Sequence, residues 1–251
     1  MAQGRYQHAD ACYDQVLESA RRVGDQVLEG ATLTHQGNLA RCTNQYDRAV
    51  DLSKQALMLF QGAHDDAGIM LTCNLLGTIE RDQGRLLEAR AWHERSREIA
   101  QSRGDTEMLG GAAQSIGIVC QKQGEAARQR GDQATALQRL AEAERFLHES
   151  LQMKIDRQDK PGEATSRGQL SQVYLLLGAL DQAEAHAHEA RAIDEGLGLI
   201  RQLPSDYYSL AQIARARGDE AQAAHWEARQ GEVEAELARR ARGGVAADAG
   251  L

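Results

Sequence analysis

Five alanines, Ala49, Ala89, Ala143, Ala183 and Ala223, recur in one frame, at successive intervals of 40, 54, 40 and 40 along the chain. Twelve positions before them, once the surplus of the long interval is set aside, stand Gly37, Gly77, Gly117, Ser171 and Ala211. Five positions before them stand Asn44, Gly84, Gly178 and Gly218, and Gly124 joins this series when the same surplus is set aside. A fixed period of this size with small residues at fixed phases predicts stacked helical hairpins. Small residues are needed where helix backbones approach closely, because a larger side chain would force the pair apart.

Only 2 prolines and 4% aromatic residues interrupt a chain dominated by good helix formers. The 24 glycines would argue against helix if scattered, but many fall at the repeat joints. A net charge of −8 argues against general binding to nucleic acid or anionic membrane. No apolar run is long enough to span a bilayer, and the start MAQGRYQHADAC has no apolar signal core. Cys12, Cys42, Cys73 and Cys120 are widely spaced without a CxxC pair, which suits reduced, packing thiols in a cytoplasmic protein. Arginine far outnumbers lysine, as is common in GC-rich bacterial sources.

Read in order, the chain opens with one amphipathic helix, 4–23, on which Tyr6, Ala9, Cys12, Tyr13, Val16, Leu17 and Ala20 keep helical spacing. Counting back one period from Ala49 gives Ala9, so the chain is expected to open at the second helix of a hairpin, without that hairpin's first helix. Repeats follow at 25–64, 65–104, 105–158, 159–198 and 199–242. Asp25, Asp65, Asp105 and Asp159 share one phase, where an aspartate can cap the next helix and meet its positive dipole end. The third repeat carries the surplus of the long interval as a hairpin extension. Divided into two sevens, it adds about two turns to each helix, roughly 10 Å, with a polar tip expected to project into solvent. In the last repeat Leu199 stands where the aspartate is expected, and Pro204 delays the helix. The segment GEVEAELARRAR is polar enough to close the stack, and 243–251 is expected to be a disordered tail.

Leu76-Gly77, Ile116-Gly117 and Leu170-Ser171, with Tyr174, Gly178, Leu180 and Ala183, resemble the tetratricopeptide repeat (TPR). The 40-residue period with Gly-Asp joints resembles the repeats of kinesin light chain, Pins-type polarity adaptors and bacterial TPR sensor modules. The resemblance covers about residues 4–240 and rests on packing positions. It implies an all-α fold, a right-handed superhelical solenoid of antiparallel helix pairs. The chain departs from the consensus aromatic near the start of each first helix, which here is Leu33, Cys73, Ala113 and Arg167, with only Tyr207 fitting. Glu80 takes an often aromatic phase.

The resemblance further implies that first helices line a concave groove and non-catalytically bind protein or peptide. Its rows would be Asn38, Thr78, Ile118, Gln172 and Gln212; then Arg41, Arg81, Gln121, Leu175 and Arg215; and before them Thr34, Asn74, Gln114, Gly168 and Tyr208. Amides offer donor and acceptor to a peptide backbone, and arginine offers a planar fork to an acidic partner. The Lys/Asn carboxylate-clamp set of the family is not reproduced. Two alternatives stand beside this reading. One is a C-terminal regulatory or sensor region of a larger bacterial signalling protein, with an ATPase, protease or transcription regulator as effector. The other is self-association through the N-terminal helix.

Catalytic and cofactor patterns are absent. Among 8 histidines, His93-Glu94, His148-Glu149 and His188-Glu189 each lack the second histidine of HExxH, so neither a metal nor a cofactor is expected. Gly110-Gly111 is no phosphate loop, and Ser115 sits in no nucleophile elbow. Trp92 and Trp226 share one phase and are expected to pack between helices, as is Tyr207.

Overall fold

The computed structural model describes residues 2–248, with side chains over 6–241. Among them the order is α1 (Ala2–Val23), α2 (Gln26–Cys42), α3 (Tyr46–Gly62), α4 (Asp66–Asp82), α5 (Leu86–Arg103), α6 (Thr106–Gln129), α7 (Gln133–Asp156), α8 (Lys160–Leu177), α9 (Leu180–Gly196), α10 (Leu203–Ala216) and α11 (Glu220–Asp248). The described residues contain no strand. The array expected over 1–242 divides into two compact units, Met1–Lys122 and Gln123–Leu251, with the division inside α6.

The backbone is punctuated by single left-handed residues. Gly24, Asn44, His64, Gly84, Gly104, Gly131, Gln158, Gly178, Gly198 and Gly218 all have positive φ. They recur at a constant interval, half the repeat period, except for two longer steps on either side of Gly131. Each ends a helix and turns the chain back, which costs a non-glycine residue roughly 1–2 kcal/mol. Six of the following helices start on an aspartate cap, whereas α3, α5 and α9 start without a side-chain cap bond. Asp25, Asp65, Asp105, Asp132, Asp159 and Asp219 accept from the backbone N–H of Leu28, Ala67, Met108, Thr135, Gly162 and Gln222 at 2.9–3.1 Å. Gln202, at the start of α10, makes no side-chain cap bond.

In unit 1 the stacking of α2 to α5 depends on glycines that face bulky neighbours. Phe60 of α3 is 3% exposed and lies between the backbones of α2 and α4. A Cβ at Gly30 would come within 3.0 Å of its ring, and one at Gly68 would come closer still. Gly77 likewise leaves room for His93, whose ring atoms would lie 2.7 Å from an added Cβ. Around Phe60 pack Leu17, Leu33, Leu57, Ile69, Cys73 and Leu76. Helix α1 contributes Leu17 and Ala20 to the buried set and is otherwise held by polar contacts. Asp10 pairs with Arg48 at 2.8 Å, Gln36 donates to Asp14 at 2.7 Å, and Tyr13 stacks on His35.

In unit 2, α7 has 24 residues against 17 in α9, two additional turns. The turn residue of this hairpin is Gly131, while Gly124 lies within α6 against Leu140. The expected solvent-projecting tip is therefore confined to residues 128–134. Below it Gln123 and Ala127 are buried, and Arg128 Nη1 donates to the Leu176 carbonyl at 2.9 Å, satisfying an end carbonyl of α8. Helix α11 carries exposed ion pairs such as Arg229–Glu232 and continues through the expected tail to Asp248. Residues 249–251 lie outside the described ones.

Candidate recognition groove

Helices α2 and α4 of unit 1 stand side by side and enclose a concavity of about 320 Å³, lined by Ala31, Thr34, His35, Asn38, Arg41, Phe60, Leu71, Asn74, Leu75 and Thr78. Five of the expected groove residues therefore meet in one place, together with an apolar floor. The helical offsets explain the mixture. Asn74 and Thr78 are one turn apart, and Leu71 and Leu75 repeat the same step one row over. Leu71 is 54% exposed, so its side chain is available to a bound partner.

The polar rim is organised by internal hydrogen bonds. Thr34 donates to the Gly30 carbonyl at 2.9 Å and lies 3.2 Å from the Thr72 hydroxyl. Thr78 donates to the Asn74 carbonyl at 2.9 Å, and Ser115 donates to Asn74 Oδ1 at 3.3 Å. With Oδ1 so engaged, the Asn74 amide is held in one orientation. Arg41 Nε donates to Asn38 Oδ1 at 3.2 Å. Arg41 Nη1 and Arg81 Nη2 then converge on the two oxygens of Asp82, at 2.8 and 2.9 Å. Burial by itself would raise the Asp82 carboxyl, but the hydrogen bonds from Arg41 and Arg81 outweigh it and hold the carboxyl below its usual range. One carboxylate is thus shared by two guanidiniums, leaving one positive charge uncompensated within the trio at the end of the groove.

The remaining expected residues fall elsewhere. Gln114 is half-buried on α6, and Gln121 is only 7% exposed, because α6 continues for two turns beyond the point where α2 and α4 end. Gln121 is therefore no exposed rim residue. In unit 2, Gln172 and Gln212 are half-buried and Tyr208 is 52% exposed. Arg215 is tied to Glu227 in an ion pair. These four belong to unit 2.

The sequence rows miss several contributors. Asp82 has no counterpart at its phase, where Cys42, Lys122, Leu176 and Ala216 stand, so no periodicity marks it. Leu71 and Leu75 are legible as an apolar step beside the polar row. Unit 2 holds a further polar cluster, in which Tyr174 donates to Glu144 at 2.8 Å, lies 2.9 Å from His148 Nε2 and stacks on His186. Burial, then the bond to Glu144, pushes the Tyr174 hydroxyl up to about 12. Tyr207 is buried, donates to Glu195 at 3.0 Å and stacks on Trp226.

The reactive side chains are muted. Burial raises the Cys73 thiol to about 11 and lowers the His93 imidazole to about 4, so both are neutral near pH 7. Cys120 is buried, whereas Cys12 and Cys42 are exposed. Among the described residues, no group of three His, Cys, Asp or Glu side chains is placed to hold a metal, and no helix is long and apolar enough to cross a membrane.

Antiparallel hairpins on a fixed period, with a polar first-helix face over an apolar floor, define a helical-repeat protein. Tetratricopeptide-repeat models match residues 1–61 and 69–102. Residues 1–61 and 69–102 thus carry tetratricopeptide repeats. No curated protein matches it. Among solved structures it is similar to BtubC (BKLC) from P. vanneervenii, with a TM-score of 0.74 and 19% identity over 92% of each chain. It is also similar to the nearly identical TPR-like repeats of a Podosopora anserina putative kinesin light chain, with a TM-score of 0.62 and 15% identity over 83% of this chain and 96% of that one. A third likeness is to aspartyl phosphate phosphatase F from Bacillus subtilis, with a TM-score of 0.64 and 11% identity over 88% of this chain and 64% of that one. At these identities the likenesses concern the fold.

Proposed function

We propose that this chain is a non-catalytic scaffold that binds an extended, acidic segment of a partner protein across α2 and α4. The observation that carries the reading is the Arg41–Asp82–Arg81 arrangement beside the groove formed by Asn38, Asn74, Thr34, Thr78, Leu71 and Leu75. Each element has a role toward such a segment. The amides of Asn38 and Asn74 pair with peptide N–H and C=O groups, since an amide both donates and accepts. Leu71 and Leu75 receive an apolar side chain. The guanidinium charge in excess of Asp82 attracts a carboxylate of the partner. The groove is already formed before a partner arrives, so binding orders the ligand more than the receptor. The family's use of stacked hairpins as interaction surfaces supports the same reading.

The test is a panel of synthetic peptides in paired versions, carrying Asp or Glu in one and Asn or Gln in the other, read by fluorescence anisotropy against the full chain. The acidic versions are expected to bind more tightly, with an advantage that shrinks as salt is raised. The double variant Arg41→Ala/Arg81→Ala, with helicity retained, should lose that advantage. Equal binding of both versions, or unchanged binding by the folded variant, would overturn the reading.

A further inference from the structure

One register of the repeat changes character along the chain. The position near the end of each second helix is Ala20, Phe60, Ala100, Lys154 and Asp194, and the position early in the following helix is Thr32, Thr72, Ala112, Ser166 and Asp206. All ten are buried. In unit 1 they are apolar or neutral. In unit 2 the joint between α7 and α8 brings Lys154 Nζ to Ser166 Oγ at 3.1 Å. The joint between α9 and α10 brings two carboxylates together, Asp194 at 4% exposure and Asp206 at 7%. Asp206 Oδ2 is buried and meets no hydrogen-bond donor.

Two ionised carboxylates in this position would repel each other with little water to screen them, whereas one proton gives them a hydrogen bond. The surrounding groups do not relieve the pair. Among the described residues, Arg191, one turn before Asp194 on α9, is the cation that favours the ionised form of Asp206. Its Nη1 is held by both oxygens of Glu195, at 2.8 and 2.9 Å, and Glu195 itself disfavours ionisation. From α10, Tyr207 donates to Glu195. From α11, Arg229 lies over the Tyr207 ring and pairs with Glu232 at 2.6 Å. From α8, Arg167 is engaged by Glu163 and Glu189, and Lys160 by Glu163.

We propose that the Asp194–Asp206 joint is a proton-dependent latch: with one proton shared between the two carboxylates α10 stays docked on α9, and with both ionised their repulsion loosens the fifth hairpin. Burial first, and then the charge of Asp194, raises the Asp206 carboxyl to about 7. The sign follows from linkage. An unfolded aspartate has a pKa of about 3.9, so the folded joint holds the proton more tightly than the open one. The stability contributed by the shared proton is complete below about pH 4 and is lost as pH rises through about 7. The latch therefore closes on mild acidification and loosens within the neutral range.

Peptide-resolved hydrogen exchange on the full chain at pH 5.5 and pH 8, corrected for the intrinsic exchange rate, tests this. Protection in α10 should fall about thirtyfold between the two conditions, as expected for a carboxyl shifted from about 3.9 to about 7. In Asp206→Asn, and separately in Asp194→Asn, the fall should be clearly smaller than in the wild type, because the remaining carboxyl keeps its burial and loses the charge of its partner. An equal fall in both variants, or no fall in the wild type, would overturn the proposal. Where a variant fails to fold, the wild type alone decides. A protonated-carboxyl infrared band that persists at pH 6 and disappears by pH 8 supports the latch, and its absence at pH 6 contradicts it.

Discussion

In unit 1 the register that ends each second helix is filled by Ala20, Phe60 and Ala100, while in unit 2 it holds Lys154 and Asp194. The backbone rhythm is the same in both, since left-handed residues recur at half the repeat period before and after the long hairpin. A common backbone thus accommodates an aromatic wedge between glycines at one joint and a pair of buried acids at another. The regular positions specify the stack, and the departures give each joint its own stability and pH response. Unit 1 contains the groove on a neutral, tightly filled base. Unit 2 places ionisable groups where the stack closes.

Substitutions at shared registers should separate the two units, and Phe60→Ala should have the largest effect. It removes a ring held between Gly30 and Gly68, and unit 1 should lose about 3–5 kcal/mol in denaturant unfolding followed by hydrogen exchange. Asp194→Asn, at the same register, should act in the other direction at pH 8, stabilising the last hairpin by about 1–2 kcal/mol. An equal loss at both positions would break the comparison.

Next in size come the opposed pH responses. The pKa of buried His93 is lowered by burial, and secondarily by Arg81, to about 4. Its contribution to stability is complete above its unfolded value of about 6.5 and is lost as pH falls through about 4. Acidification should therefore weaken the packing of α4 on α5 while strengthening the α9–α10 joint. Exchange protection followed peptide by peptide would show the two trends crossing, and His93→Leu should flatten the first alone.

The smallest effects concern the shared rhythm. Asp25→Ala and Asp219→Ala each remove a cap and should cost about 1 kcal/mol, one in each unit. Gly168→Ala meets nothing within 4 Å in α8 and should stabilise unit 2 by up to about 1 kcal/mol through helix propensity, whereas Gly77→Ala in unit 1 should destabilise through contact with His93.

Much of this architecture can be read from spacing. The alanine ladder points to positions of close approach, and Ala49, Ala89, Ala143, Ala183 and Ala223 are all fully buried. The aspartates expected to cap helices do so at Asp25, Asp65, Asp105 and Asp159. Local chemistry decides such features, so they are visible in local sequence. Gly124 illustrates the limit: its frame matches a turn, but two further helical turns carry the reversal to Gly131. The groove is only partly legible. Phase brings Thr34, Asn38, Arg41, Asn74 and Thr78 together, but Asp82 is recruited by a pairing between neighbouring repeats that no period encodes. Gln121 keeps the phase of Arg41 and loses its exposure because its helix is longer. The Asp194–Asp206 pair is hidden for the same reason as Asp82. Each residue looks like an ordinary surface acid until the fold brings it to its partner.

The central claim is that recognition belongs to α2 and α4 of unit 1. Its most direct test is a hydrogen-exchange footprint of the full chain with and without a saturating acidic peptide from the anisotropy panel. The account predicts added protection within 34–41 and 74–82, abolished in Arg41→Ala/Arg81→Ala. Protection confined to α3 and α5, or to unit 2, with none on α2 and α4, would contradict it.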